Sequence, residues 1–275
     1  MSDVKGTFLY GNRRCEEIIG YRREELTGKN FLELNLLTEK SLNKAAQLLQ
    51  ANMEGKPTGP DEIELISKEG RLIPVEISTS MVQHMDKGIV LAFVRDITER
   101  KQMEEKIRQM AYHDYLTGLP NRKLFYDRLG IALAQSQRNQ KKVGIVMLDL
   151  DNFKGVNDTL GHDVGDLLLK AAVDRLSSAL RKGDTVARFG GDEFVLIFPD
   201  LKGIEDAILV AQKIVDSFHK PFLIDTHQLV VTTSIGIAVY PNDGIDEDIL
   251  LRNADIAMYQ AKQAGRDRYQ LCKKA

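Results

Sequence analysis

The sequence predicts an α+β fold divided between two domains that a helix joins. Three observations carry this. The chain has 275 residues, against about 100–150 for a common domain. The patterning changes abruptly after Asp96, from strand-like alternation to a charged run free of Gly and Pro. Beyond that run, helix-period and strand-period segments alternate around what reads as a largely antiparallel sheet. An apolar content of 43% with 28% charged residues excludes a disordered or fibrous chain.

Residues 1–96 read as short strands with one helical patch. Thr7–Tyr10 is a brief strand and Arg13–Ile19 a short helix that Gly20 ends. Glu62–Ile66 and Ile73–Ser78 alternate apolar and polar residues, the mark of half-buried strands, and Lys68-Glu69-Gly70 supplies the hairpin turn. Gly88–Arg95 is a third strand. Residues 97–112 then read as a connector helix, with Asp96 as its N-cap and Glu99 three residues on. Its apolar stripe is only Met103, Ile107 and Met110, too thin for a core helix. Such a stripe suits pairing with its own copy in a dimer, the alternative being a solvated linker.

In residues 113–275, Asn121–Gln140 reads as a helix with Leu124, Phe125, Leu129 and Leu133 on one face, and Val143–Leu148 as a buried strand. Gly165–Lys182 is a long helix striped by Leu168, Ala172, Leu176 and Leu180. Thr185–Phe189 and Glu193–Phe198 flank Gly190-Gly191, a hairpin signal. A helix over Ile204–His219, a strand through Val230–Val239, a helix over Glu247–Ala264 closed by Gly265, and a last strand at Arg268–Leu271 complete the order.

Several function classes fall away. The longest uncharged apolar stretch, Leu229–Tyr240, is shorter than the roughly 20 residues a membrane helix needs. The start, Met1-Ser2-Asp3-Val4-Lys5, lacks a signal peptide's apolar core, so a reducing cytoplasmic setting is expected; a longer parent protein could be membrane-attached. Cys15 and Cys272 fit neither a disulfide framework nor a thiolate metal site. A net charge of −2 gives no footprint for gripping nucleic acid. A small anion needs only a local cluster.

Two places put carboxylates at the end of an apolar strand: Asp149-Leu150-Asp151 after Ile145–Leu148, and Asp192-Glu193 beside Gly190-Gly191. Adjacent strands could bring Asp149 and Asp192 together. Two ionised carboxylates that close require a cation, and oxygen ligands of this kind suit Mg²⁺ or Mn²⁺ on a substrate phosphate. Taken alone, Asp-x-Asp at a strand end is commonly structural, and a Gly-Gly turn serves any hairpin.

Arg188–Phe194 resembles the signature of GGDEF domains, the diguanylate cyclases. Asp114–Arg122 resembles that family's opening motif, Asp149–Asp158 with Gly161–Asp166 its metal and base-binding segment, and Tyr259–Lys262 with Gly265-Arg266 its phosphate-binding helix end. The resemblance implies a palm-like, nucleotidyl-cyclase-type α/β sandwich with a mainly antiparallel central sheet. It implies that Asp149, the Leu150 carbonyl, Asp192 and Glu193 hold two Mg²⁺ (or Mn²⁺) ions on GTP, and that Asp192 accepts the attacking 3′-hydroxyl proton. It further implies that Lys154 stabilises the transferring phosphoryl group, with Gly190 and Gly191 letting the nucleotide approach. Lys262 and Arg266 would bind terminal phosphates, and Asn157 and Asp166 would read guanine. A carboxylate at Asp166 matches the adjacent N–H donors of guanine and opposes the acceptor of adenine. His162 lies in the same loop as a shaping residue. Arg181 and Asp184, with five residues before Gly190, match the family's product-inhibition site for cyclic di-GMP.

Residues 1–96 resemble a PAS sensor, through Tyr10-Gly11-Asn12, Gly20-Tyr21, Glu24–Lys29 and the closing Asp96–Lys101. The family's first strand would precede Val4, so it is expected to be missing. The sensor's ligand is unknown: Cys15 reads as a buried small hydrophobe, and His84, the one histidine before His113, as a turn residue beside Met85–Gly88 rather than a haem ligand. The expectation is a homodimeric cyclase that makes cyclic di-GMP and two pyrophosphates from two GTP, governed by the sensor. The alternative is a silent GGDEF receptor, which lost signature acids would betray; all are present here. A second, phosphodiesterase domain is not expected within these residues.

Overall fold

A computed structural model of the chain describes residues 1–84 and 87–272. Two compact units divide between Ile107 and Arg108. Among the described residues no helix is long and apolar enough to cross a membrane.

The first unit is a four-stranded sheet with small helices. In chain order it comprises β1 (Ser2–Asp3), α1 (Arg13–Ile19), α2 (Arg23–Leu26), α3 (Glu39–Met53), β2 (Thr58–Ile66), β3 (Leu72–His84) and β4 (Lys87–Asp96). The strands lie in the order β1-β4-β3-β2, all antiparallel. The edge position expected to be empty is taken by two residues, Ser2 opposite Val90 and Asp3 opposite Ile89. Thr7 and Phe8 form only single bridges, to Asn30 and Ser2, because the chain turns there instead of running alongside a neighbour. The helix α3 is an addition. Thr38 caps it, accepting from the Ser41 amide at 3.2 Å, but its buried residues are Ser41, Leu48 and Asn52, so two of three inward positions are polar. The turn expected at Met85-Asp86 lies outside the described residues.

The connector, α4 (Thr98–Tyr112), buries none of its residues. Asp96 does accept from the Thr98 amide, at 2.8 Å.

The second unit contains α5 (Arg122–Asn139), β5 (Lys142–Leu150), α6 (Phe153–Leu160), α7 (His162–Ala179), β6 (Thr185–Gly190), β7 (Glu193–Leu201), α8 (Ile204–Phe218), β8 (Phe222–Ile224), β9 (His227–Leu229), β10 (Thr233–Tyr240), α9 (Glu247–Gln263) and β11 (Arg268–Leu271). The central sheet runs β11-β10-β5-β7-β6; only the β10–β11 pairing is parallel. Strand β5 is buried from Val143 onward, so alternate residues serve opposite faces. Val146, Leu148 and Leu150 pack with Leu168, Leu169 and Leu176 of α7 and Ile214 and Phe218 of α8. Val143, Ile145 and Met147 pack with Phe125 and Leu129 of α5 and Leu250 and Met258 of α9. The result is helices on both faces of a mainly antiparallel sheet. Gly236 lets α9 lie against β10: a Cβ there would meet the Ala254 carbonyl at 2.0 Å. That close approach fixes where α9 ends relative to β5. Helix α7 starts at His162 rather than Gly165, and a short hairpin, β8–β9, precedes β10.

Candidate active site

The acids sit where strand ends meet. Asp149 on β5 lies directly opposite Glu193, the first residue of β7. Gly190 pairs with Glu193, so Gly191-Asp192 forms a two-residue turn. Gly190 and Gly191 have φ of 146° and 52°, values an L side chain adopts with strain.

Asp149 is buried, and Lys262, in the last turn of α9, places its Nζ 2.8 Å from Oδ2. Burial pushes the Asp149 carboxyl up to about 6; the Lys262 ammonium opposes this and the Asp192 charge adds to it. The backbone is pinned as well, since Thr233 Oγ1 donates to the Asp149 carbonyl at 2.9 Å.

The turn is held from behind by Arg188, which is buried. Its Nε and Nη2 donate to the Gly191 carbonyl at 3.0 and 2.7 Å, and its Nη1 pairs with Asp114 at 2.9 Å. Asp114 also accepts from the Thr117 amide at 2.9 Å. Burial would raise the Asp114 carboxyl, but the bonds from Thr117 and Arg188 outweigh it and hold it below the usual range. Arg188 and Asp114 hold the turn, and motif reading gave them no role. Their signal was a buried charge, which sequence alone does not display.

Asn157, on α6, packs against the start of α7: its Oδ1 is buried with no hydrogen-bond partner. A Cβ at Gly165 would stand 1.9 Å from that oxygen, so Gly165 makes room for the amide. Asp166 is exposed on α7, and His162, expected in a loop, is that helix's first residue. Lys154 is exposed on α6; its side chain, like those of Asp166 and Arg266, has no hydrogen-bond or ion-pair partner among the described residues. Arg266 follows α9 in a bend with φ +60°.

Arg181 and Asp184 come together away from these groups. The Asp184 carboxylate accepts from the Arg181 amide at 3.1 Å and from Nε at 2.9 Å, and Arg181 Nη2 donates to the Pro199 carbonyl.

No cluster of three or more acid, His or Cys side chains stands preassembled for a metal among the described residues. The donor chemistry still fits Mg²⁺, which takes one or two carboxylates and completes its shell with water and phosphate oxygens. Asp149 calls for a cation, and Lys262 now supplies one.

The first unit encloses a cavity of about 580 Å³ lined by Phe8, Cys15, Ile18, Leu48 and Asn52, among others. Cys15 is half-buried there and burial raises its thiol. His84, at the exposed end of β3, is not among the lining residues.

Comparison with known proteins agrees with the geometry. The family described as "Diguanylate cyclase, GGDEF domain" matches residues 111–268, and a PAS domain family matches residues 1–99. Signaling protein YkoW of Bacillus subtilis is 38% identical over 97% of this chain, which spans 32% of that protein. Diguanylate cyclase DgcM of Escherichia coli is 32% identical over 96% of this chain, which spans 62% of its length. Among solved structures, the coiled coil and GGDEF domain of DgcB from Caulobacter crescentus in complex with c-di-GMP superposes with a TM-score of 0.57 at 28% identity, covering 64% of this chain and 93% of that one.

Proposed function

Because this chain belongs to the GGDEF family of diguanylate cyclases, with a PAS domain ahead of the GGDEF domain, we propose that it condenses two GTP into cyclic di-GMP and two pyrophosphates. The observation that carries the reading is Asp149, buried and opposite Glu193, with Asp192 near enough to raise its carboxyl and Lys262 on its oxygen. In each half-reaction the 3′-oxygen of one GTP bonds to the α-phosphorus of the other. The bond to pyrophosphate breaks and the hydroxyl proton passes to Asp192. Lys154 balances charge on the transferring group, and Lys262 and Arg266 take the terminal phosphates; phosphoryl transfer depends mainly on such positioning and neutralisation. Asp149, the Leu150 carbonyl, Asp192 and Glu193 would hold Mg²⁺, which supplies charge neutralisation on the triphosphates. Asn157 and Asp166 read guanine, Asp166 presenting an exposed carboxylate to the adjacent N–H donors of the base.

One GGDEF domain holding one GTP must meet a second copy, and α4 is the element that would pair two chains, passing on the state of the PAS domain. Cyclic di-GMP would return to Arg181 and Asp184 to slow the enzyme.

The test is incubation of product-stripped chain with GTP and Mg²⁺, following cyclic di-GMP by chromatography. Wild type is expected to form product and Asp192→Ala to lose it by at least ~100-fold. No product from a stripped, dimeric preparation would overturn the enzyme and leave a nucleotide receptor.

A further inference from the structure

The buried acid that this chemistry leaves unused is Asp151, immediately past β5. No cation pairs with it among the described residues. Its carboxylate is met by three neutral donors: Thr232 Oγ1 at 2.7 Å, Ser234 Oγ at 2.7 Å and the Asp267 amide at 3.1 Å. Its own amide donates to the Thr232 carbonyl at 2.9 Å. A carboxylate withdrawn from water without a cation is costly to keep, and joining β5 to β10 does not require one, since backbone pairing already does so from Leu150–Thr233 onward.

What Asp151 adds is the bond to Asp267. Arg266 and Asp267 both lie in the left-handed region, at φ +60° and +49°. Two consecutive non-glycine residues there are strained, and such strain persists only where the surroundings over-determine it. The surroundings do. The Arg266 amide donates to the Ala261 carbonyl at 3.0 Å, Arg268 Nε donates to the Arg266 carbonyl at 2.8 Å, and His219 Nε2 lies 2.9 Å from both carboxylate oxygens of Asp267. Asp151 is the one of these contacts that belongs to the strand end carrying Asp149.

We propose that Asp151 is a positioning residue of the phosphate clamp: it ties the strained Arg266–Asp267 bend to the end of β5, so that Arg266 is held toward the same triphosphate that Asp149 and Lys262 serve. His219 braces the bend through the Asp267 side chain. This rests on the cyclase reading of the site.

GTP, GDP and GMP differ only in terminal phosphates, so the equilibrium affinities of their 3′-deoxy forms, which lack the attacking hydroxyl and are not consumed, separate a clamp from general damage when measured on the full chain in Mg²⁺. Wild type is expected to bind GTP more tightly than GMP. Asp151→Ala is expected to weaken GTP about 10-fold and GMP less than about 2-fold, since small misplacements of a clamp are felt strongly. Asp151→Asn keeps an oxygen for the Asp267 amide and is expected to recover most of the loss. In an Arg266→Ala background, Asp151→Ala is expected to cost GTP nothing more, the mark of action through Arg266. Equal losses for all three nucleotides, or an undiminished loss without Arg266, overturns the role. Should Asp151→Ala fail to fold, Ser234→Ala removes one of the three donors and is expected to give the same order of losses at smaller size; no selective loss there also overturns it. A wild type without preference for GTP over GMP defeats the phosphate reading itself, whereas a preference that Asp151→Ala leaves intact defeats Asp151 alone.

Discussion

Asp149 shows how a single residue trades stability for chemistry. Its carboxyl is raised from 3.8 to about 6 by burial first, with Asp192 adding to it against the pull of Lys262. A carboxyl whose folded value lies above its unfolded value weakens the fold wherever it is ionised. The penalty is full above about pH 6 and is relieved as pH falls from 6 towards 3.8. In chelator at pH 8, Asp149→Asn is therefore expected to stabilise the chain by on the order of 2 kcal/mol while abolishing cyclic di-GMP formation. The gain should shrink progressively towards pH 4. Denaturant unfolding of both proteins at several pH values checks it, and a gain that does not change with pH would mean that the carboxylate charge is not its source. Motifs named Asp149 from the sequence. They gave no role to Arg188 or Asp151, because a motif displays which residues recur and not which charges the fold buries.

At the scale of elements, strands were readable wherever one face alone is buried, as in β2, β3 and β4, and helices wherever the stripe is apolar, as in α5 and α9. Helix α3 escaped because Ser41 and Asn52 take two of its three buried positions. Helix α6 carries Phe153, Val156 and Leu160 at helical spacing but is only eight residues long, too short for the pattern to stand out, and β8 and β9 are three residues each. The connector α4 poses the opposite case, a readable stripe with nothing upon it. Met103, Ile107 and Met110 are 64%, 62% and 68% exposed, at the i, i+4, i+7 spacing of a coiled-coil seam. Ile107→Glu is expected to leave the stability of the chain within about 0.5 kcal/mol, as exposed positions do. It should convert a dimer into a monomer in sedimentation and lower the rate at micromolar enzyme by about 10-fold or more. A variant that remains dimeric and active would assign the pairing to another surface.

At the scale of the whole molecule, the two ends of β6 carry two different tasks. Gly190 closes the turn bearing Asp192, while Thr185 follows Asp184 of the proposed feedback pair. Six residues of strand separate these ends by about 17 Å, so product bound at Arg181 cannot also fill the GTP cradle of the same chain. On the reading proposed above, feedback acts on how two copies approach each other, and adding GTP should not relieve it. The pair itself is unequal: the Arg181 side chain is 58% exposed, whereas that of Asp184 is 3% exposed and accepts from the Arg181 amide and Nε. Arg181→Ala is therefore the clean probe. Its time courses should stay linear where those of wild type flatten, and added cyclic di-GMP should not slow them. Asp184→Ala should also lose feedback, but with a stability loss of about 1 kcal/mol, the net worth of the hydrogen bonds its carboxylate accepts from Arg181. Inhibition of wild type that excess GTP reverses would instead mean that product competes at the catalytic turn, and Arg181→Ala would then remain as inhibited as wild type.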